Sequence, residues 1–277
     1  MAPKRRPLLL AIDLDGTLVE PMHPVSPPVL EAVARAAALG VRVTIVTGRM
    51  VVAAAPFAEL LRIDGPIVCY QGAVVADART RRFEREIPLR NEVALRIYAA
   101  AKAHGYHVQF YRGDRFYVEE RNRYAELYGR IAGAEPVVVP SLPEAFAGAP
   151  STKVNIVTDP ARTPECAALM REVCGGDAYV TRSNPEFVEM LDPRVDKGIA
   201  LRAVAESLRI PLERVLAIGD SYNDLPLLRV AGIAVAMGSA PPELRAEADA
   251  VVAGVEHDGV AEAIERFVLA PGLETVA

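Results

Sequence analysis

Residues 8–17 read Leu-Leu-Leu-Ala-Ile-Asp-Leu-Asp-Gly-Thr, and this stretch sets the interpretation of the whole chain. The apolar run 8–12 suits a strand that is buried on both faces of a parallel sheet, where no polar residue has to alternate with the apolar ones. The run then ends in two aspartates and a glycine. The sequence therefore predicts a buried strand whose carboxyl end opens into a polar loop at residues 13–17.

The same alternation of buried strands and helices continues along the chain. Further strands are predicted at residues 41–46, 66–70, 214–218 and 233–236. Helical patterns lie between strands at residues 29–39 and 197–208. Strands that alternate with helices are typical of parallel sheets with crossover helices. The predicted fold class is therefore α/β, with a Rossmann-like doubly wound parallel sheet whose strand ends face one crevice.

An insertion interrupts this pattern. Beyond residue 73 the strands become half-polar and long helical patterns follow, whereas the buried-strand pattern returns at residues 187–191. The elements predicted around and within the insertion are a hairpin at 74–76 and 82–86, helices at 91–104 and 160–174, and strands at 106–111, 115–119 and 153–157. We therefore expect a discontinuous core domain, residues 1–84 and 188–277, with an inserted α+β cap domain, residues 85–187.

Two carboxylates stand two residues apart at the end of the first strand. One can attack phosphorus while the other gives a proton to the leaving oxygen and later takes one from water, a division of labour between Asp13 and Asp15. Gly16 lets the backbone turn tightly and brings its N–H groups toward an anion. Taken alone, an Asp-rich capping turn explains this motif equally well.

A second acidic loop follows another apolar strand. Residues 219–224 read Gly-Asp-Ser-Tyr-Asn-Asp and come directly before a predicted helix. Four carboxylates in one crevice would repel one another unless a cation lies among them. Oxygen ligands without Cys or His favour Mg²⁺ over Zn²⁺. The alternative for this segment alone is that Asp220 or Asn223 caps the following helix.

Two further polar residues lie where a phosphoryl group would need partners. Lys197 begins a predicted helix and can supply a counter-charge, and Thr47 ends a predicted strand and can donate its hydroxyl. Singly, they are explained as a surface charge and a turn residue. Together, the four segments occur on one predicted edge of the sheet, where open α/β sheets bind ligands.

With these motifs the chain resembles the haloacid dehalogenase superfamily, and within it the Cof-type branch, whose α/β cap is inserted between the second and third motifs. The likeness spans nearly the whole chain and rests on residues 13–17, 47–49, 197–198 and 219–224. It implies a Mg²⁺-dependent phosphatase that acts on small phosphorylated metabolites, such as sugar phosphates or phosphorylated cofactors.

The resemblance also implies residue roles. Asp13 is expected to be the nucleophile that forms an aspartyl-phosphate, and Asp15 the general acid and base. The residues expected to bind the phosphoryl group are Thr47, Lys197 and Asn223. The residues expected at the metal site are Asp13, Asp15 through its backbone carbonyl, Asp220, and Asp224 in support of metal-bound water.

The chain departs from the branch at two positions. Gln71 stands where Asn is usual, and Asp196 stands where Ser is common. The longer side chain of Gln71 is expected to alter a contact at the pocket mouth, without an assigned binding role. Three basic residues of the insertion could bind polar or anionic groups of a substrate, but they are interpreted as solvated charges on exposed strands or loops: Arg112, Lys153 and Arg182.

The composition bears on partners and location. A net charge of −5 leaves no basic footprint for nucleic acid or an anionic membrane, so a small-molecule phosphate ester is the expected partner. Three cysteines without paired spacing indicate a reducing compartment. The run 8–12 is too short for a signal peptide or a membrane helix, so a cytoplasmic protein is expected. Monomer and homodimer are both left open.

Rival functions stay open at this point. A phosphomutase or phosphotransferase on the same scaffold would pass the phosphoryl group from Asp13 to a sugar hydroxyl instead of water. A receiver-like signalling protein would use a phosphorylated aspartate to switch partner binding, although the insertion and the loop 13–17 argue against it. A catalytically inactive binding protein is a third reading, against which the intact acids argue. The substrate is not named by the sequence.

Overall fold

The structure is a computed structural model that describes residues 5–20 and 23–273. Its strands are β1 (Leu9–Ile12), β2 (Arg42–Ile45), β3 (Pro66–Cys69), β4 (Val74–Asp77), β5 (Phe83–Glu86), β6 (His107–Arg112), β7 (Arg115–Val118), β8 (Val137–Val138), β9 (Val154–Val157), β10 (Tyr179–Thr181), β11 (Phe187–Leu191), β12 (Val215–Gly219), β13 (Ile233–Ala236) and β14 (Ala250–Val251). Its helices are α1 (Pro27–Ala38), α2 (Val51–Leu60), α3 (Asn91–Ala103), α4 (Arg123–Ala132), α5 (Leu142–Ala145), α6 (Thr163–Cys174), α7 (Lys197–Ser207), α8 (Leu225–Val230), α9 (Pro242–Glu247) and α10 (Gly259–Ile264).

A parallel sheet in the order β14-β13-β12-β1-β2 forms the centre of the core. β1 pairs with β12 on one side and β2 on the other. Leu10 and Ile12 pack in a cluster with α1 and α10, whereas Leu9 and Ala11 pack with α7 and α8. Helices on both faces explain why every residue of β1 is buried. The predicted α/β fold is confirmed.

Local signals explain the helix that connects β1 to β2. The Ser26 hydroxyl accepts a hydrogen bond from the N–H of Val29 at 3.4 Å, and Pro27 occupies the first helical position. Gly40, directly beyond the C-cap residue Leu39, has a left-handed φ of 82° that glycine adopts without strain. The helix therefore begins and ends near the predicted positions.

The insertion forms a second sheet, in the order β10-β11-β9-β6-β7-β8. Its strands pair antiparallel except for β7 and β8. One face packs against α3 and α6 in a separate apolar cluster. The opposite face, together with α4, joins the apolar cluster of the core. The cap is therefore packed directly against the core.

Helix α4 was not predicted from the sequence. Asn122 caps it by accepting hydrogen bonds from the N–H groups of Tyr124 and Ala125, at 3.0 and 3.2 Å. Ala125, Tyr128 and Ala132 form its buried stripe, at the spacing of one helix face. The capping asparagine and this stripe are the signals that identify the helix.

One strand placement predicted from the sequence is wrong. Residues 187–191 were expected in the core sheet, but β11 pairs antiparallel with β9 and β10. The inner strands of this covered sheet are buried on both faces, so their apolar runs look like those of a parallel sheet. β3 forms where a strand is predicted: it meets the end of β2 through a parallel bridge between Val46 and Val68, and its other edge pairs antiparallel with β4. The predicted hairpin of β4 and β5 is confirmed.

These pairings bear on the domain limits. Because β11 belongs to the second sheet, we propose that the inserted domain ends near residue 191 rather than 187. Within residues 5–20 and 23–273, no helix combines the length and apolar character needed to cross a bilayer.

Candidate active site

Asp13 lies at the carboxyl end of β1, and its side chain is buried. Its N–H donates to the carbonyl of Ile218 at 3.1 Å, which extends the pairing with β12 by one residue. The loop turns at Gly16, whose φ is 83°. A Cβ at this position would collide with the carboxylate of Asp220. The turn therefore requires glycine and brings the two acidic loops into contact.

Lys197 places a positive charge beside Asp13 and Asp224. It is the first residue of α7, whose N-cap Asp196 accepts a hydrogen bond from the N–H of Ile199 at 2.6 Å. The buried Nζ of Lys197 donates to Oδ1 of Asp13 at 2.7 Å and to Oδ1 of Asp224 at 2.6 Å. Burial alone would lower the pKa of Lys197, but the two carboxylates raise it above its usual value. The ammonium therefore stays charged.

The loop 219–224 is organised around Asp224. Its Oδ2 accepts hydrogen bonds from the N–H groups of Asp220 and Ser221, both at 3.0 Å, and its Oδ1 is bonded to Lys197. Ser221 and Asp224 form a capping box, so these two residues cap the turn rather than Asp220 or Asn223, the residues named in the capping alternative. Both carboxylate oxygens of Asp224 are therefore occupied.

Oxygens of Asp13, Asp220 and Asp224 lie within 4.8 Å of one another. Burial, followed by the charge of Asp224, raises the pKa of Asp13 well above its usual value and that of Asp220 to about 7. A divalent cation among these oxygens would relieve the repulsion, and an all-oxygen donor set fits Mg²⁺. Asp13 and Asp220 suit direct ligation. Asp224, whose oxygens are occupied, suits contact through bound water.

The Asp15 side chain does not join this group. Its carboxylate forms a bidentate ion pair with Arg49, from Nε to Oδ2 at 2.8 Å and from Nη2 to Oδ1 at 2.5 Å. Burial lowers the pKa of Arg49, but the hydrogen bonds and charge of Asp15 raise it above its usual value. Arg49 belongs to the segment 47–49, but no role is predicted for it from the sequence. Its position two residues after Thr47 was the available signal.

Thr47 lies one residue beyond the bridge that joins β2 to β3. Its N–H donates to the carbonyl of Val68 at 2.9 Å, and its Oγ1 accepts from the N–H of Arg49 at 3.1 Å. Because the hydroxyl oxygen serves as the acceptor, its proton is left to donate. Thr47 is buried next to Arg49, which is paired with Asp15. This position is compatible with the phosphate contact predicted for Thr47.

A buried polar network that the sequence does not predict lies beside these residues. The Gln71 amide donates to Glu189 at 2.7 Å and accepts from Asn223 at 3.0 Å, and Glu189 is paired with Lys153. Lys153 also donates to the carbonyl of Gly48 at 3.2 Å. Lys153 is only 1% exposed, so its interpretation as a solvated charge is wrong. Its place directly before an apolar strand was the signal.

A cavity of about 40 Å³ lies where the inserted sheet meets the core. Its polar lining consists of Asp13, Asp15, Gly48, Arg49, Lys153, Ser183, Asn184, Glu189, Ser221 and Asn223. Its apolar lining consists of Met50, Ala53, Tyr128, Ile131, Ala132 and Phe187. At roughly 10–15 Å³ for each water, this space holds about three water molecules. A wider depression of about 670 Å³ adjoins this cavity, shares Ser183, Asn184 and Ser221 with it and has Asp220 on its wall.

Known proteins match the chain over nearly its whole length. Residues 10–264 match the family model for haloacid dehalogenase-like hydrolases. The pyridoxal phosphate phosphatase YbhA of Escherichia coli is 28% identical, with 92% of this chain and 97% of that protein covered. The phosphoglycolate phosphatase of Methanothermobacter thermautotrophicus is 29% identical, with 93% and 97% covered.

A solved structure agrees with these sequence matches. The crystal structure of a haloacid dehalogenase-like hydrolase from Bacteroides thetaiotaomicron has a TM-score of 0.82 at 29% identity, and the match covers 93% of this chain and 98% of that one. The order of the motifs, the parallel core with its inserted sheet and these likenesses all agree. The chain belongs to the haloacid dehalogenase-like hydrolases, as a Cof-type phosphoric monoester hydrolase.

Proposed function

We propose that this enzyme hydrolyses small phosphorylated metabolites in a Mg²⁺-dependent reaction that passes through an aspartyl-phosphate on Asp13. The observation that carries the proposal is the position of Asp13 at the end of a buried strand, bonded to a buried lysine and facing a second acidic loop. A capping or turn aspartate needs neither of these neighbours.

In the first step, a carboxylate oxygen of Asp13 attacks phosphorus in line with the leaving oxygen. Oδ1 of Asp13 accepts a hydrogen bond from Lys197 at 2.7 Å, which holds the carboxylate in place for the attack. The bond between Asp13 and phosphorus forms, the bond to the leaving oxygen breaks, and that oxygen takes a proton from Asp15. The ammonium of Lys197 stabilises the charge that develops on the phosphoryl oxygens.

In the second step, water attacks the phosphorus of the aspartyl-phosphate. Asp15 takes the proton from this water, the bond between phosphorus and Asp13 breaks, and inorganic phosphate leaves with the Asp13 carboxylate restored. The hydroxyl proton of Thr47 and the side-chain N–H of Asn223 that is not bonded to Gln71 are neutral donors for phosphoryl oxygens.

The nucleophile has to be ionised before it attacks. Burial and the nearby carboxylates favour the protonated form of Asp13, and Lys197 opposes them. Asp13, Asp220 and the backbone carbonyl of Asp15 would hold Mg²⁺, with Asp224 in support. Bound Mg²⁺ supplies positive charge to the nucleophile and to the phosphoryl oxygens.

Proton transfer by Asp15 requires a rearrangement. Arg49 donates to both oxygens of Asp15, so neither is free to face a leaving group. Movement of Arg49 or Asp15 when substrate enters would release one oxygen.

The lining of the cavity bears on the choice of substrate. Among the described residues, the two cations on its wall are already paired, Arg49 with Asp15 and Lys153 with Glu189. The apolar wall would contact the part of the substrate beyond the phosphate. We propose sugar phosphates or phosphorylated cofactors as substrates in a cytoplasmic setting; the two relatives named above act on pyridoxal phosphate and phosphoglycolate.

The test is release of inorganic phosphate from a panel of phosphorylated metabolites, with Mg²⁺ and with a chelator. Mg²⁺-dependent release from at least one ester is the expected result and ranks the substrates. Labelled phosphate that moves to a second sugar hydroxyl without release would contradict hydrolysis and favour transfer. Release that is unaffected by the chelator would contradict the metal assignment.

A further inference from the structure

Gln71 connects the inserted sheet to the acidic loop through two hydrogen bonds. Its Nε2 donates to Oε2 of Glu189 at 2.7 Å, and its Oε1 accepts from Nδ2 of Asn223 at 3.0 Å. The exposed fractions of Gln71, Glu189 and Asn223 are 1%, 1% and 5%. Water therefore does not compete for these bonds, and each side chain depends on its neighbour for orientation.

The donor and acceptor of each hydrogen bond between Glu189, Gln71 and Asn223 are fixed by the chemistry of these side chains. A carboxylate only accepts, so Glu189 requires the NH₂ group of Gln71 to face it. The carbonyl of Gln71 then faces Asn223, and because a carbonyl also only accepts, Asn223 must turn its NH₂ group toward Gln71. The orientation of the Asn223 amide is thus determined by a carboxylate two side chains away.

Glu189 is itself held on several sides. Lys153 forms an ion pair with its Oε1, and the hydroxyl of Ser183 donates to its Oε2 at 2.6 Å. Lys153 also donates to the carbonyl of Gly48 at 3.2 Å, so the network returns to the core. A Cβ on Gly48 would collide with the amide of Gln71. The side chains of Glu189 and Gln71 therefore have little freedom to reorient.

One polar atom of the Asn223 side chain makes no hydrogen bond to the described residues. Its Oδ1 is buried and has no hydrogen-bond partner among the described residues, although Asn223 lines the catalytic cavity. A buried acceptor without a partner is unusual in a folded protein. Its chemistry calls for a donor that arrives with the substrate, since phosphoryl oxygens are themselves acceptors.

We propose that Gln71 and Glu189 are positioning residues, which hold the Asn223 amide so that its carbonyl oxygen accepts a hydrogen bond from the attacking water or from a substrate hydroxyl. The catalytic part of this inference rests on the proposed phosphatase function, whereas the amide orientation does not. Asn223 then has two roles. Its carbonyl oxygen is an acceptor, and the side-chain N–H that is not bonded to Gln71 makes the phosphate contact expected from the sequence.

A double-mutant cycle tests the proposal. Gln71→Met keeps the length of the side chain and removes both hydrogen bonds. We expect it to lower kcat about 10-fold or more with KM changed less than about twofold, because the reacting groups lose their alignment. Asn223→Ala should cost at least as much, and the double variant should lose nothing beyond Asn223→Ala. Losses that multiply in the double variant would overturn the proposal, as would full activity of Gln71→Met.

Gln109→Met is the matched control. Gln109 is also a buried glutamine, and its side chain accepts a hydrogen bond from the Tyr111 hydroxyl at 2.8 Å. It lies in β6 and is not hydrogen-bonded to Gln71, Glu189 or Asn223. Its replacement should leave kcat within about twofold of wild type, and its effect should add to that of Asn223→Ala. A fall in kcat equal to that of Gln71→Met would show a general packing effect and overturn the positioning role.

A measurement independent of activity separates this proposal from the proposed function. The side-chain NH₂ signals of Asn223, assigned by their loss in Asn223→Ala, report its hydrogen exchange by NMR. We expect slow exchange in wild type and Gln109→Met, and exchange at least about 10-fold faster in Gln71→Met. If no ester releases phosphate, the proposed function fails, while unchanged exchange in Gln71→Met would overturn the orientation itself.

Discussion

The side-chain nitrogen of Lys197 lies 2.7 Å from Oδ1 of Asp13, and both side chains are buried. Because solvent is excluded, the interaction is screened little by salt. The pair orients Asp13 as well, since only one of its carboxylate oxygens is engaged by the lysine. The fixed charge of Lys197 thus lies beside the oxygen atoms on which the proposed reaction depends.

Removal of this charge should impair turnover strongly. We expect Lys197→Met to lower kcat by about 100-fold or more, because loss of one fixed donor at a developing charge has costs of that size. Lys102→Met is the control, since Lys102 pairs with Glu119 on the surface of the cap. Steady-state phosphate release measures both. A Lys197→Met enzyme with more than about a tenth of wild-type kcat would contradict the assigned role.

Metal binding should stabilise the folded enzyme through Asp220. At Mg²⁺ concentrations about 100-fold above its dissociation constant, the free energy of unfolding should rise by about 2.7 kcal/mol over that in chelator. In Asp220→Asn this increase should largely disappear, because one direct ligand is lost. Chemical denaturation with and without Mg²⁺ measures it. Asp159→Asn, which alters an exposed cap carboxylate, should keep the full increase; an equal increase in Asp220→Asn would exclude Asp220 as a ligand.

Asp114 of the β6–β7 turn caps helix α2 of the core. Its carboxylate accepts hydrogen bonds from the N–H groups of Val51 and Val52, at 2.9 and 2.7 Å, and from the Tyr70 hydroxyl at 2.8 Å. Met50, the N-cap residue of α2 itself, makes no side-chain capping bond. The cap therefore supplies an acceptor that the core helix needs.

Loss of this contact should loosen the junction between cap and core. Asp114→Ala is expected to reduce the free energy of unfolding by about 1–2 kcal/mol, as for other helix caps, and to speed hydrogen exchange in the first turn of α2. Asn122→Ala removes the cap of α4 within the insertion and should cost similar stability without that change in α2. Mass spectrometry of exchanged peptides distinguishes them. Unchanged exchange at residues 51–52 in Asp114→Ala would contradict the coupling.

His107 should make stability depend on pH. Burial, and then the charge of Lys102, lowers its pKa from 6.5 to about 4. Its ring nitrogens lie beside the amide groups of Gln109, at 3.2 Å, and Asn122, at 3.1 Å, and neither partner carries a negative charge that would stabilise the protonated ring. Between these two pKa values the unfolded chain binds the proton and the folded chain does not. The contribution to stability is therefore complete above about pH 6.5 and is lost as the pH falls toward 4.

The size of this effect is measurable. Wild type should lose up to about 3 kcal/mol more stability than His107→Gln between neutral pH and pH 4. Denaturant unfolding across this range gives the difference. His104→Gln, which replaces an exposed histidine of the same cap, should follow the wild-type profile. Identical pH profiles for His107→Gln and wild type would show that His107 titrates normally in the folded state.

Much of the core could be predicted because its signals are local. The strand and acidic loop at residues 8–17 are contiguous, as are those at 215–224, and the parallel pairing of β1 with β12 brings Asp13 and Asp220 to one edge. The capping serine before α1 and the glycine after it mark that helix in the same way. Such features need no knowledge of the rest of the chain.

Contacts between distant residues could not be predicted in this way. Asp15 meets Arg49 across 34 positions, and Gln71 meets Glu189 across 118. The burial of Lys153 depends on Glu189, which reaches it only because β9 and β11 are neighbouring strands. A single lysine beside an apolar strand gives no sign of that partner. The departure at Gln71 was visible in the sequence, but its structural consequence was not.

Chemical trapping of the intermediate on Asp13 tests the central claim most directly. Wild-type enzyme mixed with a turned-over ester and Mg²⁺ is quenched in acid and treated with borohydride, which reduces an acyl phosphate, and the peptide that contains residues 8–17 is analysed by mass spectrometry. We expect reduction at Asp13 only when substrate is present, none at Asp15, and no phosphate release by a folded Asp13→Asn variant. Turnover by Asp13→Asn, or trapping at another residue, would contradict the mechanism.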